Sequence, residues 1–133
     1  MRISKCLAAL AVLGIALAAS AQSPAPDPKS VPAIDGGIGS CSADFTITDA
    51  ENKPVYSAKI KVHIAYGFGS FHKLDLEVST NADGKARFTG LPNKLKRELT
   101  FQASEADRSG EAQYDPGKTC NAQLSIELKK QPQ

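Results

Sequence analysis

The sequence predicts an all-β protein: a seven-stranded, antiparallel-type β-sandwich preceded by a signal peptide and a disordered linker. Three observations carry this prediction. Seven short runs alternate apolar and polar residues with period two, and turn-forming residues separate them. Beyond the N-terminal apolar run, no stretch shows an apolar stripe at helical spacing. So many short strands in so little chain are the pattern of two packed sheets.

At the N-terminus, Arg2 and Lys5 precede an almost uninterrupted apolar run from Leu7 to Ala19, and Ala19-Ser20-Ala21 supplies the small-x-small pattern of a cleavage site. The run is shorter than the ~20 residues that span a bilayer. Residues 1–21 therefore read as a cleaved signal peptide, leaving no transmembrane segment in the mature chain and placing it in the periplasm or outside the cell. Cys6 lies ahead of the apolar run rather than just after it, which argues against lipidation. Mass spectrometry of exported protein is expected to find Gln22 at the N-terminus; secreted material that keeps Met1 would overturn the assignment.

Residues 22–40 carry Pro24, Pro26, Pro28 and Pro32, then Gly36, Gly37 and Gly39. Proline removes backbone donors and glycine loosens the chain, so this stretch reads as a tether with no fold of its own. The domain is expected to run from Cys41 to Lys130, with a short tail at 131–133.

Within the domain, Ala43, Phe45 and Ile47 alternate with Asp44, Thr46 and Thr48, and Ala58, Ile60, Val62 and Ile64 alternate with Lys59, Lys61 and His63. Leu74, Leu76 and Val78 form a third such row, Leu99, Phe101 and Ala103 a fourth, and Ala122, Leu124, Ile126 and Leu128 a fifth. Each is a strand with one buried face. Lys85 to Thr89 and Gly110 to Tyr114 are shorter candidates. Around Gly67-Phe68-Gly69, keeping apolar residues opposite one another requires partner numbers with an even sum. A sum of 136 sets Lys61 opposite Asp75 and Lys59 opposite Glu77, with a three-residue loop ending in Gly69.

The chain holds 16 Lys and Arg against 14 Asp and Glu, a formal charge of +2. Arg2 and Lys5 leave with the signal, so the mature chain is neutral. A neutral chain of interspersed signs gives no electrostatic reason to expect nucleic acid or an anionic membrane. Lys94, Lys96 and Arg97 form the one basic knot and read as a solvated loop. After cleavage two cysteines remain, Cys41 and Cys120. An even pair in an exported chain reads as a disulfide.

Asp49, Pro54, Val55 and Ala58, followed by Thr80, Gly84, Phe88, Leu91 and Pro92, resemble the signature of the transthyretin-like, carboxypeptidase-regulatory-like β-sandwich. The resemblance runs from about Cys41 to Lys130. It implies a sandwich fold and says little about function, because such modules are grafted onto many exported proteins. In this fold the first and last strands can lie side by side in parallel, which brings Cys41 and Cys120 within bridging reach.

The resemblance also frames Asn81-Ala82-Asp83-Gly84, which could be half of a calcium loop. Calcium needs further oxygen ligands at alternating positions, yet Lys85 and Arg87 stand there, so the stretch reads as a turn. The enzymatic branch of this superfamily, hydroxyisourate hydrolase, carries a C-terminal Tyr-Arg-Gly-Ser. The nearest string here is Tyr114-Asp115-Pro116-Gly117, so no catalytic residue is assigned. Collagen-adhesin-type modules place an isopeptide-forming Lys on the first strand, which this chain lacks.

His63 and His72 are the only imidazoles. In the register above His63 faces outward beside Lys73 and His72 lies near the inner face opposite Ile64, so they cannot share a metal. No metal or other cofactor is expected. There is no Trp for stacking a sugar. What remains is Tyr66 to His72, where Tyr66, Phe68, Phe71 and His72 gather at a hairpin tip. Either Tyr66 and Phe71 fold back on the sheet edge, or the tip contacts a partner or ligand. The expected function is a non-enzymatic binding or structural accessory module with a protein or surface-glycan partner. The alternatives are a small ligand binder for a carbohydrate or metal at the tip, and a hydrolase with an unrecognised site.

Overall fold

A computed structural model describes residues 30–131; the expected signal peptide at 1–21, the first part of the expected linker and the last two residues lie outside the described residues. Nine strands form two sheets: β1 (Ala33–Asp35), β2 (Cys41–Thr48), β3 (Lys59–Tyr66), β4 (His72–Ser79), β5 (Lys85–Leu91), β6 (Leu99–Glu105), β7 (Arg108–Tyr114), β8 (Asn121–Glu127) and β9 (Lys129–Lys130). One sheet has the order β1-β5-β2-β8 and the other β4-β3-β6-β7-β9. All seven expected strands are present, as β2 to β8, in a sandwich. β2 and β8 run parallel, in register from Ser42 with Asn121 to Thr48 with Glu127.

The apolar rows of both sheets face inward. Phe45 and Phe88 from one sheet meet Phe101 from the other, with ring centroids 4.7 Å apart for Phe45–Phe101 and 5.0 Å for Phe88–Phe101. All three are buried, as are Ile47, Ile60, Ile64, Leu91, Ile126 and Leu128. Tyr114 also reaches this core, and its hydroxyl donates to the Cys120 carbonyl at 2.7 Å. Burial, and after it the neighbouring Asp115, pushes the Tyr114 phenol above its ordinary pKa.

Two expectations about this scaffold need correction. The linker was expected to be without structure as far as Ser40, but its last third belongs to the domain. β1 pairs in parallel with β5, Ala33 opposite Arg87 and Asp35 opposite Thr89. Backbone bonds from Arg87 N–H to the Pro32 carbonyl (2.8 Å) and from Gly36 N–H to the Thr89 carbonyl (2.9 Å) fix it, and Ile34 and Ile38 pack on the core. Prolines crowd the residues before 33, whereas Ala33-Ile34-Asp35 has free donors and an apolar centre.

The β3–β4 register is the second correction. Partner numbers sum to 138, not 136: Lys61 stands opposite Glu77, His63 opposite Asp75 and Tyr66 opposite His72. Any even sum keeps the apolar rows together, so alternation fixes only the parity. The turn chooses between even sums. It takes five residues, with a 3-10 turn over Phe68–Ser70 and Ser70 N–H bonded to the Gly67 carbonyl. Glu77 then lies within 3.9 Å of Lys61 and 4.0 Å of Lys59, exposed pairs worth a few tenths of a kcal/mol each.

The motif residues act structurally. The Asp49 carboxylate accepts from the Glu51 N–H (2.9 Å) and the Lys53 N–H (3.0 Å) and closes the turn after β2. The Lys53 N–H, above all, holds its pKa below the usual carboxylate range. Buried Thr80 ties the turn after β4 to the strand-like segment before β3: its hydroxyl accepts from Ala58 N–H at 2.9 Å and donates to the Val55 carbonyl at 2.6 Å. Asn81 Oδ1 accepts from the Asp83 and Lys85 N–H groups (3.0 and 2.9 Å), an Asx turn that leaves Gly84 at φ +72°. The oxygen that a calcium ion would need is committed to the backbone.

Thr80→Val keeps the shape and strands the Ala58 donor and the Val55 acceptor. It is expected to cost about 1–3 kcal/mol in urea unfolding; an unchanged midpoint would show that this bridge does not stabilise the fold.

Candidate functional site

The candidate site is the β3–β4 turn at one end of the sandwich, where the inward row of β3 runs past the end of the core. Ile64 is buried, while Tyr66, two residues on, is only partly covered. Its ring stacks on His72 across the hairpin, centroids 5.3 Å apart and 28° between planes. Gly67 and Gly69 take φ +82° and +65°, and Ser70 follows at +58°. A Cβ at Gly67 would come within 2.7 Å of the His72 ring, and one at Gly69 equally close to the Phe71 ring. The glycines thus permit both the backbone path and the ring positions above it.

Phe68 is 93% exposed and Phe71 80% exposed. The two readings of the tip therefore split by residue. Tyr66 leans back onto the sheet and packs at the margin of the core. Phe71 does not fold back; with Phe68 it stands in solvent. Two exposed large aromatics five residues or fewer apart are an unusual use of apolar surface in a small domain.

The tip has neighbours that the sequence alone did not reveal. β6 pairs antiparallel with β3, Val62 opposite Phe101, so the segment leading into Leu99 passes beside Ala65 and Tyr66. That segment holds Lys94, Lys96 and Arg97, all exposed, anchored by Leu95 against the core. A cleft of about 240 Å³ separates the two loops, lined by Tyr66, Gly67, Ser70, Lys94, Leu95 and Lys96. The basic knot read as an isolated solvated loop is therefore the wall of the aromatic tip. Only the β3–β6 pairing joins them, and no local pattern encodes it.

His63 takes no part. It sits on the outer face of the five-stranded sheet, where its Nδ1 lies 2.6 Å from Asp75 Oδ1, rather than beside Lys73. His72 is not opposite Ile64 but at the tip, exposed and opposite Tyr66. A concavity of about 590 Å³ is also on that outer face, lined by Lys61, His63, Asp75, Glu77, Thr100 and Gln102 among others. Of its charged residues Lys61 pairs with Glu77, and His63 faces Asp75. Cys41 and Cys120 form a disulfide, with Cα atoms 4.6 Å apart. Among the described residues, no group of three or more His, Cys, Asp or Glu is placed to hold a metal ion.

The architecture defines a β-sandwich domain with an aromatic, base-flanked tip. No family model matches the sequence, and no curated protein matches it. Solved structures are similar in fold. One is the dioxygenase domain of a dioxygenase–carbohydrate-binding protein fusion from the cellulolytic bacterium Streptomyces sp. SirexAA-E, with TM-score 0.52 and 15% identity over 84% of this chain and 97% of that chain. Another is 3-chlorocatechol 1,2-dioxygenase from Rhodococcus opacus 1CP, with TM-score 0.51 and 13% identity over 83% of this chain and 71% of that one. Catechol 1,2 dioxygenase from Acinetobacter radioresistens gives TM-score 0.48 and 16% identity over 79% of this chain; the chain spans 60% of that enzyme's length. At such identities the likeness is one of fold.

Proposed function

We propose that this chain is an exported, non-enzymatic β-sandwich module of the transthyretin-like kind, with a binding or structural accessory role in the periplasm or at the cell exterior. The observation that carries this reading is the hairpin tip: Phe68 and Phe71 are presented to solvent by a disulfide-bonded scaffold. Exposed aromatics do nothing for the fold, and they become useful when a partner covers them. The signature residues support the same reading, because Asp49, Thr80 and Gly84 are engaged in turns.

Dioxygenase activity belongs to the neighbours by their names and does not transfer with a fold. Activation of dioxygen is carried by a metal or organic cofactor, and the donor set among the described residues does not fit a metal. Among the described residues, Cys41 and Cys120 are joined to each other, the two imidazoles lie on different surfaces, and one of them is bonded to Asp75.

Affinity capture from the exported fraction tests the proposal. Wild-type protein is expected to retain a surface component that the Phe68→Ala/Phe71→Ala variant retains roughly tenfold less, as for interface anchors worth more than 1 kcal/mol each. Equal retention by both would remove the tip from the function.

A further inference from the structure

The chemistry around the tip narrows what covers it, and this inference rests on the tip being a contact site. Phe68 and Phe71 stand in solvent and are not among the residues that line the cleft beside the turn. Four cations stand on the elements next to the turn. Lys94, Lys96 and Arg97 come from the loop across the cleft, and Lys73 comes from β4, opposite Ala65. All four are exposed, and among the described residues none of them forms an ion pair. The acids near this end are Glu98, which lines the adjoining cleft, Asp115, which follows Tyr114 opposite Leu99, Asp35, whose neighbour Gly36 lies against Leu74 and Leu76, and Asp75, which is held by His63. Set against Glu98, Asp115 and Asp35, the four cations leave a small positive excess at this end of a chain that is neutral once residues 1–21 are removed.

A protein partner would have to supply a pocket shaped for two protruding rings inside a ring of acids. A bilayer interface offers both at every point. Aromatic side chains partition to the boundary between headgroups and acyl chains, and basic residues within a Debye length are drawn to anionic headgroups. We propose that the tip docks on an anionic phospholipid surface. Phe68 and Phe71 enter the interface while Lys73, Lys94, Lys96 and Arg97 contact lipid phosphates from the rim.

Vesicle flotation of protein purified from the exported fraction tests this. Wild type is expected to float with vesicles of mixed phosphatidylcholine and phosphatidylglycerol, and to be released as salt shortens the Debye length towards ~3 Å at 1 M. Phe68→Ala/Phe71→Ala should lower the partition coefficient roughly tenfold or more. Lys94→Ala/Lys96→Ala/Arg97→Ala should lower it roughly a hundredfold, about fivefold per cation. Both variants should melt as wild type does. No flotation with the mixed vesicles, equal flotation of wild type and the double-Phe variant, or equal binding to pure phosphatidylcholine each overturns the lipid assignment. Tip-dependent capture of a protein, with no vesicle binding, overturns the lipid assignment while leaving the tip a contact site. Loss of both goes against the contact site itself.

Discussion

Reduction of the Cys41–Cys120 bond is expected to lower the melting temperature by roughly 18–36 °C. The bond closes a separation of 79 residues, for which loop-closure entropy gives about 4.5 kcal/mol at 25 °C. Each kcal/mol moves the midpoint of a domain this size by about 4–8 °C. The native state accommodates the bond without rearrangement, because β2 and β8 already lie side by side: Ser42 N–H donates to the Cys120 carbonyl at 2.8 Å, and the Ser42 hydroxyl to Asn121 Oδ1 at the same distance. Thermal melts with and without a reductant, with alkylation to count thiols, give the answer. Two free thiols in unreduced exported protein, or a shift under ~5 °C on reduction, would contradict it.

Phe101→Ala is expected to cost ~3–5 kcal/mol, and Phe45→Ala a similar amount. Phe101 is the residue through which the five-stranded sheet meets both Phe45 and Phe88, so its removal opens a cavity between the layers. Phe68→Ala, by contrast, should leave stability within about 0.5 kcal/mol, as at other exposed positions. The contrast matters more than either value. A Phe68→Ala protein that unfolds like Phe101→Ala would mean that the tip is part of the core, and the contact-site proposal would go with it.

Local chemistry made much of this legible. Period-two alternation located all seven principal strands, because each buries one face. That Asn81 to Gly84 is a turn followed from the cations at Lys85 and Arg87, where a calcium loop would place oxygens. Three features were not legible, each for a different reason. Alternation determines which face of β3 and β4 is buried but cannot choose between registers two residues apart. β1 is only three residues long, and its pairing with β5 depends on partners more than 50 positions away. The meeting of the basic knot with the aromatic tip depends on the β3–β6 pairing, which neither loop's composition announces. Of the tip residues, the exposure of Phe68 was readable, since Gly67 and Gly69 isolate it from any sheet face.

The parallel pairing of β1 with β5 also sets how the molecule carries tension. β5 runs from the Asn81 turn towards the end that bears Phe68, so β1 begins at the opposite end, where the Asn81 side-chain amide donates to the Ser30 carbonyl at 3.1 Å. A pull exerted between the residues ahead of Ser30 and a held tip therefore runs along the strand axis. The bonds from Arg87 to Pro32, Gly36 to Thr89 and Ile38 to Gly90 lie across that axis and are loaded in shear, sharing the force instead of parting one after another. Should they yield, the next strand in line is β2, whose first residue is covalently bonded to Cys120. The fold thus places a yielding clasp ahead of a covalent stop.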